Sequence, residues 1–248
     1  MNDKIAAAER ALHDQTNILP PYQLLVVFAT LAVTLLVTFI DQNGISITLP
    51  TIAQDLDATD TISWAGTASL LANTSFQMLY GRLSDIFGRK NIFLTAVALL
   101  SIADLLCGLS QSATMFYVFR AVAGIGGGGI TNLAMIIVSD VVTLEERGKY
   151  QGIIGATVGV GNMAGPFLAA AFVDKAGSWR AFFYFLAPLC AIAGVVSFVF
   201  LPDKRPTGSF RESARKIDYA GSFTSSLGVI SLLIPISGGR LRLFSGSA

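Results

Sequence analysis

Charged side chains are scarce in this sequence. Only 13% of its 248 residues are Asp, Glu, Lys or Arg, whereas a soluble globular domain carries about 25%. Hydrophobic residues make up 53% of the chain, and the mean hydropathy is +0.63. This composition excludes an ordinary soluble domain and predicts a membrane protein.

Histidine and cysteine are also scarce. The one histidine, His13, lies in the polar N-terminal segment, and Cys107 and Cys190 lie within hydrophobic runs. These positions indicate neither a disulfide framework nor a metal site. Because no cluster offers nucleophile or ligand geometry, we expect no enzymatic activity, no metal and no cofactor. The net charge of +1 gives no indication of nucleic-acid binding.

The hydrophobic residues form seven uncharged runs, most of them long enough to cross a bilayer. A helix needs about 20 residues to cross a hydrocarbon core about 30 Å thick. The runs lack the alternation of barrel strands, so we predict an all-α membrane protein whose helices satisfy their own backbone hydrogen bonds. The predicted spans cover about residues 22–50, 62–82, 91–110, 114–138, 149–173, 180–201 and 218–238.

These spans divide the chain into five segments. The N-terminal segment is polar and has no signal-peptide cleavage site, so we expect it to remain as a tail. The predicted segments are a tail (1–21), a six-span bundle (22–201), a basic loop (202–217), a seventh span (218–239) and a C-terminal tail (240–248).

The basic residues predict the orientation in the membrane. Twelve Lys and Arg residues fall in the N-terminal tail and in the loops after spans 2, 4 and 6, whereas the opposite loops hold only Lys175 and Arg180. The positive-inside rule therefore places the N-terminus in the cytosol. Trp64 and Trp179 are then expected near the non-cytosolic interface, where aromatic rings are enriched.

Three ionisable residues lie inside predicted spans, namely Asp41, Asp104 and Arg120. Such groups are costly in lipid and mark functional sites by default. At 1.5 Å per residue, Asp41 lies about 14 Å, and Asp104 and Arg120 about 9 Å, from the outer ends of their spans. These depths allow pairing between the three side chains.

Asp41 also shares one helix face with three threonines, Thr34, Thr38 and Thr48. We interpret this face as lining the bundle interior or a water-filled cavity. The alternative is that the threonine hydroxyls bond to their own helix and that Asp41 extends towards the membrane surface.

Small residues recur in spans 4 and 5. Span 4 contains GIGGGG (124–129), in which Gly124 and Gly128 are four residues apart, and span 5 contains GATVGVGNMAGP (155–166). Spacings of four, as at Gly155/Gly159 and Gly161/Gly165, let helices approach closely in lipid. The first run lacks the strand and the GK[ST] ending of a phosphate-binding loop. Pro166 predicts a bend or hinge in span 5.

A dense charged segment, GRLSDIFGRK (81–90), separates spans 2 and 3. Its distinctive residues are Gly81, Arg82, Asp85, Gly88, Arg89 and Lys90. By charge alone this segment fits simple anchoring on the cytosolic side.

Four segments together resemble the signatures of the major facilitator superfamily. GRLSDIFGRK resembles the signature between spans 2 and 3. FIDQNGISITLPTIA (39–53) resembles the span 1 signature of the fourteen-span drug:proton antiporter branch. YVFRAVAGIGGGG (117–129) resembles that of span 4, and GNMAGPFLAA (161–170) that of span 5. Further segments are similar to fungal members, including vacuolar basic amino acid transporters.

The resemblance implies the N-terminal six-helix bundle of such a transporter, built from inverted three-helix repeats with a central site. It implies a proton-coupling or substrate path at Asp41, Arg120, Asp104 and Thr38. It also implies that GRLSDIFGRK is a conformational latch, with Asp85 as the latch acid and Arg89 as its counter-charge. The span 4 signature usually has Gln where this chain has Ala123, which removes a polar partner near Arg120.

The resemblance covers about residues 22–239, and RLRLFSGSA (240–248) departs from the family pattern. We therefore expect that the chain represents the N-terminal half of a transporter and that a missing C-terminal half is its partner. Alternating access requires two halves around a shared site.

The expected function is proton-coupled antiport of small organic molecules or drugs across the plasma or vacuolar membrane. The alternatives are a vacuolar basic amino acid transporter and a truncated, non-transporting membrane protein. The expected partners are the lipid bilayer, protons and a small-molecule substrate.

Overall fold

The structure is a computed structural model that describes residues 20–143 and 145–201, together with Thr224, Gly228 and Ser231. The described part of the chain folds into six helices, which confirms the predicted all-α membrane fold. Their bounds are α1 Pro21–Asp55, α2 Ser63–Phe87, α3 Arg89–Leu109, α4 Ala113–Val141, α5 Arg147–Ala176 and α6 Trp179–Phe200.

The predicted tail (1–21), basic loop (202–217), seventh span (218–239) and C-terminal tail (240–248) lie outside the described residues, apart from Pro20, Pro21 and the three isolated positions.

Five of these helices are long and apolar enough to cross a membrane by length and composition. The exception among the described helices is α2, which carries Arg82, Asp85 and several hydroxyl and amide side chains. Its polarity fits a helix that packs against other helices along much of its length instead of facing lipid all round.

The charged segment between α2 and α3 is mostly helical. We expected span 2 to end near residue 82 and span 3 to begin near residue 91, but α2 continues to Phe87 and α3 begins at Arg89. Only Gly88 interrupts the two helices, with φ 89° and ψ 140°. A residue without a Cβ adopts this positive φ without steric conflict, so the chain turns within a single position.

Glycines set the distance between packed helices. The helix α4 lies against α2 and α3, and α1 lies against α5 and α6. A Cβ on Gly128 would lie 2.7 Å from the backbone oxygen of Asn73, and one on Gly165 would lie 2.8 Å from that of Ile40. A Cβ on Gly124 would overlap the backbone of Ser69. At these three positions the backbones of two helices are in direct contact, as small residues permit in membranes.

The helix α5 differs from expectation at Gly155 and Gly159. A Cβ on Gly161 would lie 2.9 Å from Phe39, but Gly155 and Gly159 have no atom within 4 Å of the corresponding position. Gly155 and Gly159 face away from the described helices, so their spacing alone does not produce packing. Pro166 lies inside this helix and does not end it, and the bend or hinge expected there stays a prediction.

The bundle has two ends, which we call the tail end, where α1 begins, and the opposite end, where α1 finishes. At the opposite end the carboxylate of Asp55 accepts hydrogen bonds from Arg180 and, at 3.2 Å, from the indole of Trp179. Arg180 also donates to the backbone oxygen of Ser110 at 3.1 Å. We expected Trp179 near the non-cytosolic interface, and that depth stays a prediction. Its ring is buried against Phe116 and Phe183, so it packs within the bundle and does not face the lipid headgroups.

Candidate functional site

Arg120 and Asp41 form an ion pair inside the bundle. The Nη1 atom of Arg120 on α4 lies 2.7 Å from Oδ1 of Asp41 on α1, and both side chains are 1% exposed. The guanidinium also lies over the ring of Phe183, 5.9 Å from its centroid. The structure thus brings together the two charges that the sequence placed on spans 1 and 4.

Asp104 on α3 is a second carboxylate beside the same arginine. Its Oδ1 atom lies 3.8 Å from Nη1 of Arg120, and the side chain is 0% exposed. Neither carboxylate oxygen of Asp104 has a hydrogen-bond partner among the described residues. We call Asp41, Asp104 and Arg120 the buried triad. One guanidinium cannot neutralise two ionised carboxylates, so this triad holds at most one balanced charge pair.

The threonines beside Asp41 bond to their own helix. Thr34 and Thr38 donate to the backbone oxygens four residues earlier, at 2.9 and 2.8 Å, and Thr48 donates to Ile45 at 2.9 Å. This matches the alternative interpretation of the threonine stripe. The same alternative also predicted that Asp41 extends towards the membrane surface. That prediction is wrong, because Asp41 is buried and paired with Arg120.

A second arginine lies between two aspartates at the tail end. Arg89 contacts Asp85 one turn earlier at 3.2 Å, and its Nε atom lies 2.6 Å from Oδ2 of Asp140 at the end of α4. The three side chains are 32%, 64% and 32% exposed, respectively. We call Arg89, Asp85 and Asp140 the surface triad. Sequence reasoning found the first two residues and missed Asp140.

The other residues of the charged segment have separate surroundings. Lys90 donates to the backbone oxygen of Leu201 at 2.7 Å and lies over the ring of Phe198. Arg82 is exposed, and a Cβ on Gly81 would make only ordinary contacts, the nearest at 3.8 Å. Lys90 therefore joins the start of α3 to the end of α6, while Arg89 joins it to α4.

Carboxamide side chains lie near the buried triad, on α1, α2 and α5. Asn43 donates to Asn162 across the α1–α5 contact at 2.8 Å. The amide nitrogen of Gln42 is buried and has no hydrogen-bond partner in the part of the chain that the structure describes. A Cβ on Gly127 would lie 2.8 Å from this nitrogen and 3.9 Å from that of Asn73. Sequence reasoning did not single out these residues.

No group of three or more His, Cys, Asp or Glu side chains suited to a metal ion occurs within residues 20–143 and 145–201. Cys107 and Cys190 are both buried free thiols. The buried triad supplies three ionisable side chains inside the bundle, and the amides of Gln42 and Asn73 supply hydrogen-bond donors and acceptors.

A sequence profile of the Major Facilitator Superfamily matches residues 31–245. The chain belongs to this superfamily. The matched segment extends beyond position 240, where we expected the family pattern to end. Members of the superfamily are membrane transporters and not enzymes, so the chain is an integral membrane protein of a transporter family.

Fungal transporters are among the relatives of this superfamily member. It is 58% identical over 228 residues to citrate exporter 1 of Yarrowia lipolytica, covering 92% of this chain and 34% of that protein. It is 45% identical over 228 residues to the MFS-type transporter clz4 of Cochliobolus lunatus, covering 92% of this chain and 41% of that protein. The chain thus spans between a third and about two fifths of the length of these relatives.

Solved structures of the superfamily share the fold. The proton:xylose symporter XylE aligns with a TM-score of 0.66 at 16% identity, over 92% of this chain and 57% of that one. The human organic anion transporter MFSD10 aligns with a TM-score of 0.57 at 21% identity, over 81% of this chain and 54% of that one. At these identities the likeness concerns the fold alone.

Proposed function

We propose that this chain is the N-terminal half of a proton-coupled secondary transporter that exports small organic molecules. The observation that carries the proposal is the buried triad, in which one arginine faces two aspartates near the centre of the bundle. The names of the fungal relatives, a citrate exporter and several efflux pumps, support export as the direction of transport.

The buried triad suggests how a proton is held. Arg120 is committed to Asp41, so an ionised Asp104 would be a buried negative charge with no hydrogen bond from the described residues. Such a charge costs several kcal/mol, and buried groups usually become neutral instead. We therefore assign a bound proton to Asp104 in this conformation. Loss of that proton would leave the triad with a net negative charge and favour a conformation that admits water.

The surface triad fits the proposed latch. We place the tail end in the cytosol, in keeping with the basic residues in the tail-end loops. Arg89 contacts Asp85 on α2 and Asp140 at the end of α4, so it connects these two helices. Because these side chains are partly hydrated, their contacts can break and re-form at low cost. The proposed partner that this latch would hold is a C-terminal half, since alternating access needs two halves around one site.

Transport in sealed vesicles tests this function. One sample carries the chain itself, and a second carries a fusion in which residues 20–201 replace the matching segment of the citrate exporter relative. With citrate as the probe, we expect proton-dependent flux from the fusion and none from the chain alone. If the fusion carrying Asp41→Asn transports citrate as fast as the unaltered fusion and with the same proton dependence, the coupling role of the Asp41–Arg120 pair is overturned. A well-folded fusion without flux would favour the non-transporting alternative.

A further inference from the structure

Gln42 carries a hydrogen-bond donor without an acceptor. Its amide nitrogen is buried and has no partner among the described residues, whereas the neighbouring Asn43 donates to Asn162 at 2.8 Å. Buried polar groups in folded proteins are nearly always paired, because an unpaired donor is destabilising. The donor of Gln42 is therefore suited to an acceptor from another molecule.

Gly127 faces this donor and differs from the other glycines of the run in what it contacts. Cβ atoms on Gly124, Gly126 and Gly128 would meet the backbone of another helix, and a Cβ on Gly129 would meet the side chains of Tyr80 and Ala96. A Cβ on Gly127 would meet the amide nitrogen of Gln42 at 2.8 Å, the methyl of Thr38 at 3.5 Å and the amide nitrogen of Asn73 at 3.9 Å. Gly127 is thus the glycine of this run whose surroundings include two side-chain amides.

Asn73 adds a second donor at the same point. It lies on α2, is half-buried, and makes no side-chain hydrogen bond among the described residues. Gln42 on α1 is also half-buried, so both amides lie where the bundle interior meets its surface. Side chains from α1 and α2 thereby bring two amide groups to the same glycine of α4.

The chemistry of the two amides identifies the ligand group. Each carboxamide carries two N–H donors, which require an oxygen acceptor such as a carboxylate or a carbonyl. Asp41, which precedes Gln42 on α1, is already paired with Arg120, and we assign a proton to Asp104, so neither carboxylate of the buried triad is available as a counter-charge for a cationic substrate. A substrate without oxygen acceptors would leave both donors unpaired.

We propose that Gln42 and Asn73, on either side of Gly127, form a subsite for a carboxylate or carbonyl oxygen of the transported molecule. This assignment rests on the proposed transport function and specifies which chemical group the N-terminal half recognises. It predicts that oxygen-rich organic acids or esters bind and that simple alkyl cations do not.

Equilibrium binding to the full chain in lipid nanodiscs tests the proposal without requiring transport. The probes are citrate, which has carboxylates, triethyl citrate, which has neutral carbonyls, and cadaverine, which has no oxygen. The variants are Gln42→Leu, which removes the donor, and Gly127→Ala, which places a methyl group against it. Their matched controls are Gln151→Leu, another carboxamide deletion, and Gly159→Ala, whose Cβ would have no atom within 4 Å.

We expect saturable binding of citrate or triethyl citrate and no binding of cadaverine. Because hydrogen bonds to such groups are strong when buried, Gln42→Leu and Gly127→Ala should weaken binding about tenfold or more, and both controls should stay within about twofold. Binding of citrate alone identifies the acceptor as a carboxylate, and equal binding of its ester identifies it as a carbonyl.

Two results would overturn the subsite. One is the absence of saturable binding of both oxygen-bearing probes to the unaltered, well-folded chain. The other is probe binding that neither Gln42→Leu nor Gly127→Ala weakens. Saturable binding of cadaverine would count against the subsite in the same way. Loss of the proposed function has a different signature, namely absent flux in vesicles while probe binding and its dependence on Gln42 persist.

Discussion

An arginine between two aspartates occurs twice in this bundle, once in its interior and once at the tail end. In the buried triad the side chains of Arg120, Asp41 and Asp104 are at most 1% exposed. In the surface triad Arg89, Asp85 and Asp140 are 32–64% exposed. The closest ion-pair distances, 2.7 and 2.6 Å, are nearly equal.

The difference between the triads lies in what surrounds the second carboxylate. Water can solvate Asp85, so the surface triad tolerates three charges. Asp104 accepts no hydrogen bond from the described residues, and the guanidinium of Arg120 lies 3.8 Å away, so we propose that the buried triad responds to every proton that it gains or loses. The same residue types therefore suit two tasks: a proton-sensitive switch in the interior and a reversible contact at the surface.

The largest expected effect separates the two arginines. Arg120→Ala leaves the buried carboxylate of Asp41 without its counter-charge, which should lower the free energy of unfolding by about 3–5 kcal/mol. Arg89→Ala removes a partly hydrated contact and should cost about 1 kcal/mol or less. Thermal unfolding of both variants in the same detergent measures the difference. Equal destabilisation would contradict the role that we assign to burial.

A glycine substitution should disturb the buried triad through α4. Gly124 lies one turn after Arg120, and a Cβ there would overlap the backbone of Ser69 on α2. We expect Gly124→Ala to destabilise the bundle by about 1–3 kcal/mol, as overpacking does. The matched change Gly159→Ala should have little effect, because no atom lies within 4 Å. Unfolding temperatures that shift by the same amount in both variants would refute this packing role.

Salt should have the smallest effect and should act on one triad only. At 1 M salt the Debye length is about 3 Å, so exposed charges are screened. We expect the small stability difference between Arg89→Ala and the unaltered chain to be present at low salt and to disappear at high salt. The larger difference for Arg120→Ala should persist, since its partners are buried. Unfolding curves recorded at the two salt concentrations provide the comparison.

The sequence predicted the buried triad better than the surface triad. Helix rise alone placed Asp41, Asp104 and Arg120 at similar depths, and an unpaired charge is costly in lipid, which favours pairing. The contact between Arg89 and Asp140 depends on where α4 ends relative to the turn at Gly88, and the sequence predicted a longer connection there, between spans ending near residue 82 and beginning near residue 91. A single residue with positive φ brings the start of α3 close to α4.

Other features depended on the direction of side chains around a helix. Spacing predicted Gly155 and Gly159 as a packing pair, but they face away from the described helices, whereas Gly161 and Gly165 pack against α1. Trp179 was expected near the non-cytosolic interface because it is aromatic and close to a span end, but the sequence did not indicate that its ring would be buried and that its indole would donate to Asp55. The predicted seventh span lies outside the described residues.

Proton coupling in the Asp104→Asn variant tests the central claim most directly. Because we assign a proton to Asp104 in this conformation, Asn should preserve the fold and leave the unfolding temperature nearly unchanged. In sealed vesicles the fusion with the citrate exporter relative should lose proton-driven citrate flux with Asp104→Asn and keep it with Asp60→Asn, which changes an exposed aspartate between α1 and α2. Proton-driven flux that Asp104→Asn leaves intact, in a well-folded protein, would contradict the assignment of coupling to the buried triad.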